Sequence, residues 1–249
     1  MTINGKQNRF RSVVGSTLGD WRTEARHALL GHPRLGPAYL RINPLYSPRS
    51  LHRETQIVID GFPRSANSYA MFAFLRTNPQ RRGFAGHSHS PHLLRMAAER
   101  NLPAIVLLRE PGAACASYAQ YLDTSRLDML LDAWSSFHSV LQPITSRLVV
   151  APFEAVITDF GEVVQACNIR YGTEFSIYRP SKENERAVRH ELDHSARSRG
   201  RLPRHRVARP DPTRRASREV LDRMDGRDHR SFARATEIYL ELLADAHPH

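Results

Sequence analysis

Residues 57–72 read IVIDGFPRSANSYAMF: a short apolar run, a glycine, a polar turn, then a run with helical spacing. This order predicts a buried strand, a tight turn and a helix whose first amides face the turn, an arrangement that receives anions. The nucleotide triphosphatase loop GxxxxGK(S/T), laid on Gly61, puts Ala66 at the second glycine, Asn67 at the lysine and Ser68 at the hydroxyl. The basic residue is Arg64, three positions early and inside the turn. That displacement needs an explanation from the rest of the chain.

Outward from this unit the alternation continues. Residues 91–101 predict a helix with proline at its start, and 103–109, PAIVLLR, a second strand. Residues 110–122 and 127–141 predict two helices, SRLVVAPFE at 146–154 a third strand, and 160–172 a helix that Gly172 ends. Alternating strands and helices imply an α/β fold: three layers, α/β/α, around a central, mainly parallel sheet, with ligands at the carboxyl ends of the strands. Arg64 and Arg109 both fall just past such ends.

Residues 1–54 are basic and broken by Pro33, Pro37, Pro44 and Pro48, with one weakly helical piece at 21–30. They are expected to be an N-terminal extension packing on the core, and 55–249 to be a single domain. A polar helix is expected at 182–195. After it, 197–215 holds eight arginines, three prolines and one acid, Asp211, which predicts an Arg-rich loop. A last helix is expected at 231–246, with Phe232, Ala235, Tyr239 and Leu242 or Leu243 on its packed face.

The 36 lysines and arginines against 25 acids give a net charge of +11, which favours an anionic partner without choosing one. Cys115 and Cys167 lie far apart with no metal-ligand spacing, so neither a disulfide framework nor a zinc site is indicated. No apolar run approaches the roughly 20 residues that span a bilayer. The expectation is a cytoplasmic protein with no stable membrane insertion and no metal.

A second motif sharpens the first. In REPGAACAS, Arg109 follows the strand and Ser117 comes eight residues later on the next helix, so both can grip a second phosphate. Two anion grips on adjacent strand ends suit a ligand with two separated anionic groups. Here the chain resembles the sulfotransferases that use 3′-phosphoadenosine 5′-phosphosulfate (PAPS). GFPRSANSY is similar to that family's 5′-phosphosulfate loop, R-x7-S to its 3′-phosphate motif, and APFEAVITDFGEVVQACNIRYG more loosely to its third conserved tract. Ala66 stands for the usual glycine and Phe153 for the usual tyrosine, and no RKGxxGDWK segment is recognisable.

The resemblance implies a P-loop-like sulfotransferase fold, PAPS as donor and PAP as product. It also implies a small-molecule, carbohydrate or lipid acceptor, no metal and no nucleic acid. Arg64, Ser65, Ala66, Asn67, Ser68, Tyr69, Arg109 and Ser117 would bind the donor. The early arginine then has a reason: with no β- or γ-phosphate to reach, the cation belongs where charge grows on the leaving 5′-phosphate.

GHSHSPHLL offers His87, His89 and His92. The family's K-T-H-x-P pattern implies His89 as the base that takes the acceptor's proton, with Arg64 as its catalytic partner at the leaving group. Glu154 is the alternative base, its plainer role being to cap a helix or buffer an arginine. Cys115 is expected to pack behind Arg109. Two other functions stay open at this point: an ATP-dependent small-molecule kinase, and a basic nucleic-acid-binding protein drawing on the arginine run.

Overall fold

The structure is a computed structural model that describes residues 19–43, 50–198 and 224–244. Residues 19–31 form helix α1, followed by α2 (Leu35–Ile42), which tolerates Pro37 because it lies in the first turn. The core then runs β1 (Ile57–Gly61), α3 (Asn67–Thr77), β2 (Phe84–Gly86), α4 (Pro91–Glu99), β3 (Ala104–Leu108), α5 (Pro111–Leu122) and α6 (Leu127–Ser139). It continues with β4 (Val149–Pro152), α7 (Phe153–Thr158), α8 (Phe160–Tyr171) and α9 (Lys182–Ser198), and the last described helix is α10 (Gly226–Ala244).

The four strands are parallel in the order β2-β1-β3-β4. Their side chains alternate between two cores, as the period of a strand requires. Val58, Val106 and Val150 join the face covered by α4, α5, α6 and α10, while Ile57, Ile59, Ile105 and Leu107 join the face covered by α3, α8 and α9. This is a three-layer α/β/α fold around a parallel sheet, the architecture the alternation predicts. Leu30, Leu40 and Leu51, from the N-terminal residues, are buried in the first of these cores. Among the described residues no helix is long and apolar enough to cross a membrane.

Three elements differ from the sequence reading. A fourth strand, β2, is too short at three residues to stand out from the turn around it. Phe153 and Glu154 begin α7 instead of ending a strand. On α10 the packed face also includes Ser231 and Ile238, beside the expected Ala235 and Leu242, which are buried, and Phe232, Tyr239 and Leu243, which are partly buried. Gly172 ends α8 in the left-handed conformation, φ 64°, as its position suggested. Of the arginine run, Arg197 and Ser198 close α9, and residues 199–215 lie outside the described residues.

The strand order places the ligand crevice. From β1 the chain steps to β2 through α3 on one face, then returns across β1 to β3 through α4 on the other. The loops leaving β1 and β3 therefore diverge to opposite faces and open a crevice between them. Two glycines allow the close approaches here. A Cβ on Gly61 would meet the Leu107 carbonyl oxygen at 2.5 Å. At Gly86, φ +142°, it would run into the Ile59 carbonyl oxygen. Both obstacles are backbone, which cannot swing aside, so Gly86→Ala is expected to cost on the order of 3 kcal/mol or more, read as a lowered urea midpoint.

Candidate active site

The loop after β1 is tied from within. Ser65 N donates to Phe62 O at 3.2 Å, and the Asn67 side-chain amide donates to the same carbonyl at 2.9 Å. Phe62 is fully buried, stacked on His27 at 5.6 Å and meeting Tyr118 and Phe137 edge-on at 5.9 and 6.1 Å. An aromatic floor thus supports the turn. Ser65, Asn67 and Tyr69 turn their side chains inward, leaving Arg64, Ala66 and Ser68 half-buried on the outer side. Ser65 Oγ and Asn67 Oδ1 are buried without a hydrogen-bond partner among the described residues.

Arg64 and Ala66 both adopt positive φ, 71° and 65°. Holding an alanine there costs roughly 1 kcal/mol against glycine, the residue that the resembling family uses. The result is a helix α3 that starts at Asn67 with a left-handed N-cap and no side-chain cap. Its first amides have no intrahelical acceptor and, with the helix dipole, make an anion site.

The three basic and hydroxyl residues singled out in the sequence meet at this crevice. Arg64 Nε donates to Ser117 Oγ at 3.1 Å, and Arg109 Nη1 donates to the Arg64 carbonyl at 2.8 Å. Two aromatic faces steady the guanidiniums: Tyr121 lies 5.5 Å from that of Arg64, and Phe153 lies 4.1 Å from that of Arg109. Phe153 keeps this stacking without the hydroxyl of a tyrosine. The second helix start is different in kind. Glu110 caps α5, accepting from Gly112 N at 2.8 Å and Ala113 N at 2.6 Å. Of the two helices that begin at the crevice, one presents open amides and the other fills its own.

The histidine loop hangs from a buried acid that the sequence reading passed over. Asp60, the fourth residue of β1, is wholly buried and accepts four hydrogen bonds. Its Oδ1 receives Gly61 N at 2.8 Å and His89 N at 3.1 Å, and its Oδ2 receives Ser88 N at 2.9 Å and Ser88 Oγ at 2.6 Å. Desolvation raises its pKa to about 6, with the hydrogen bonds from Ser88, Gly61 and His89 working against the shift. An acid inside an otherwise apolar strand was the available signal, since a buried carboxylate must find partners.

His87 and His89 also hold positive φ, 55° and 58°, so four of the six such non-glycine residues among those described lie in these two loops. Such strain persists where the surroundings fix it, and here Asp60 does the fixing. The Nδ1 of His89 lies 2.9 Å from the Gly61 carbonyl, which can only accept, so Nδ1 carries the hydrogen. In the neutral ring Nε2 then carries the lone pair, and it is the atom at which the ring takes up a proton. The same Nδ1 lies 4.0 Å from Asp60 Oδ1.

The other predicted residues have separate positions. His87 packs edge-on to His89 at 5.1 Å, with its Nε2 3.5 Å from Ser68 Oγ. His92 faces away, its Nε2 donating to Gly31 O at 2.7 Å and fastening α1 to α4. Glu154 is exposed on the first turn of α7, and its charge helps raise the pKa of Tyr239 on α10, after the larger effect of burial. Cys115 and Cys167 are free, buried thiols; burial pushes Cys115 well up and Cys167 to about 12, so both are packing residues. No group of three or more His, Cys, Asp or Glu among the described residues is disposed to hold a metal ion.

Compared with models of known protein families and with curated proteins, the chain matches none.

Proposed function

We propose that this protein is a sulfotransferase that moves a sulfuryl group from PAPS to a hydroxyl of a small-molecule, carbohydrate or lipid acceptor. The observation that carries the reading is the junction of Arg64, Ser117 and Arg109 beside the uncapped start of α3. Two guanidiniums and a helix terminus suit a ligand with two anionic groups. In this reading the acceptor oxygen attacks sulfur, an O–S bond forms, and the bond from sulfur to the 5′-phosphate oxygen breaks. The electron pair leaves with PAP, and the acceptor's proton passes to His89 Nε2 and on to solvent. Arg64 and the α3 amides oppose the charge that grows on the leaving phosphate. The imidazolium formed at His89 lies 4.0 Å from Asp60, whose charge stabilises it. The enzyme works in the cytoplasm and without a metal ion.

The kinase alternative asks for a cation at Asn67, and there an amide is bonded inward to Phe62 O. A nucleic-acid-binding role would rest on the arginine run at 197–215, of which residues 199–215 lie outside the described residues. The discriminating measurement is thermal stability with PAP in the absence of metal, against ATP with magnesium. PAP is expected to raise the melting temperature at micromolar concentration, reaching about 2.7 kcal/mol of stabilisation at a hundredfold excess over its Kd. Magnesium ATP is expected to shift it weakly or not at all. Equal stabilisation by magnesium ATP, abolished by a chelator, would overturn the sulfotransferase reading in favour of a kinase.

A further inference from the structure

Beside the candidate base lies a second space. A cavity of ≈ 480 Å³ is lined by His89 and Pro91, by residues of α1 and α6, and by Arg227 of α10. Leu30, Met129 and Phe137 give it apolar surface. That volume is within the range of small-molecule sites.

Its charge runs against that of the whole chain. Three carboxylates line it, Glu24, Asp128 and Asp132, and two guanidiniums, Arg126 and Arg227. Both guanidiniums are engaged by one acid: Asp128 Oδ1 receives Arg126 Nε at 3.0 Å, and Asp128 Oδ2 receives Arg227 Nε at 3.2 Å. The histidines of the lining do not redress the balance. His27 is held neutral, its pKa lowered to about 3 by burial and, secondarily, by Arg26. His32 accepts Arg34 N and Leu35 N at its Nδ1, which a protonated Nδ1 cannot do. His89 donates from Nδ1 and keeps Nε2 as a lone pair when neutral.

One negative charge is therefore left over, in a protein of net charge +11. Of the three acids, Asp132 is exposed on α6 and forms no ion pair within 4.0 Å among the described residues, and Glu24 likewise on α1. His27 adds a polar contact of another kind: its Nε2 is buried, without a hydrogen-bond partner among the described residues, in a ring that lines the cavity. A neutral imidazole nitrogen there can pair with a neutral polar group of an occupant.

We propose, resting on the sulfuryl-transfer reading above, that this cavity takes the acceptor, and that the acceptor is a hydroxylated amine. Its hydroxyl meets His89, its apolar body lies along α6, and its ammonium faces Asp132 and Glu24. The charge also sorts the two substrates. A polyanionic donor is drawn to Arg64 and Arg109 and repelled from the acceptor cavity, so the two subsites do not compete for one ligand.

The test uses three phenols alike in size and unlike in charge: tyramine, 4-ethylphenol and 4-hydroxyphenylacetate. Their affinities are measured by calorimetry on the full chain saturated with PAP and again without it. Tyramine is expected to bind about tenfold more tightly than 4-ethylphenol, with 4-hydroxyphenylacetate weakest. Asp132→Asn should lessen that preference and Asp132→Lys should reverse it toward the anion. Asp132 is exposed, so both variants are expected to keep the wild-type melting temperature, which is measured alongside.

If 4-ethylphenol or the anion binds as well as tyramine, or none of the three saturates at millimolar concentration, the hydroxylated amine is the wrong class. An order of affinities unchanged by Asp132→Lys overturns the assignment of that residue and of this cavity. The two readings fail separately. PAP binding without a preference for tyramine leaves sulfuryl transfer standing and removes this inference. A charge-dependent preference for tyramine with no PAP binding keeps a hydroxylated-amine site and removes sulfuryl transfer.

Discussion

His89→Ala is expected to lower turnover about 100-fold or more and to leave PAP affinity within about twofold, because a general base contributes that much and does not grip the donor. His87→Ala should do less and His92→Ala least, since His92 is bonded to Gly31 O and fastens α1. Asp60 extends the same prediction to a group that need not touch substrate. Asp60→Asn keeps an oxygen for Gly61 N and His89 N but turns an amide toward Ser88 N, two donors facing each other. Turnover is expected to fall about tenfold at about pH 7, where Asp60 is ionised, and the acidic limb of the rate profile to move to lower pH, because the imidazolium loses a neighbour at 4.0 Å that is an anion above about pH 6. A variant that merely loosened the fold would lower the rate without moving the limb. If His89→Ala keeps full turnover while Glu154→Ala abolishes it, the base is the glutamate.

Acid is expected to destabilise the fold, and the aromatic floor beneath the donor loop should open first. His138 is fully buried, its Nδ1 bonded to Trp134 O at 2.9 Å, and burial lowers its pKa to about 3. His27 is lowered to about 3 as well, by burial and then by Arg26. Both folded values lie below the unfolded one, so each contributes stability above about pH 6.5 that is lost as pH falls toward 3. Asp60 has the opposite sign: its folded pKa, about 6, lies above 3.8, so its contribution is present at low pH and lost as pH rises through 6.

Between pH 4 and 6 the unfolded chain thus binds two protons more at the histidines and one fewer at the aspartate. The balance of these three groups is about 1.4 kcal/mol of stability lost per pH unit of acidification, and Asp60→Asn should steepen it to about twice that. Urea midpoints at half-unit steps would measure both slopes. Stability that rises on acidification across this range would show that the two histidines titrate normally in the folded state, leaving the opposite slope of Asp60, and a flat profile that only one of them is shifted. Since His27 stacks on Phe62 and His138 lies 6.4 Å from it, PAP protection against hydrogen exchange at residues 61–66 should fade over the same range.

The alternation of apolar runs with helical spacing made the layered fold readable, because β1 and β3 are buried throughout and β4 at its centre, so they print as apolar runs, broken only by Asp60 in β1. β2 carries too few residues for a period to show. At the site the sequence named Arg64, Arg109 and Ser117 but held them apart as two grips. Their joining runs through partners 53 and 45 positions away, which spacing along a chain does not reveal. The inward turn of Ser65, Asn67 and Tyr69 was hidden for a different reason. Left-handed residues at Arg64 and Ala66 reset the direction of each following side chain, and nothing in an arginine or an alanine advertises that conformation. Asp60 was visible as a charge in a strand, while its four donors, three of them from Ser88 and His89, were not.

The carboxylate of Glu110, seated on the amides of Gly112 and Ala113, behaves as a permanently bound ligand of α5. Cells hold many phosphorylated metabolites, and two open helix starts at one crevice would let a diphosphate lie in either of two directions with similar ease. By occupying one start from within, the chain turns a nearly symmetric crevice into a directional one. Inhibitors that carry a single phosphate should accordingly crowd onto α3 in one pose, and lengthening them toward Arg109 should gain affinity from the guanidinium alone.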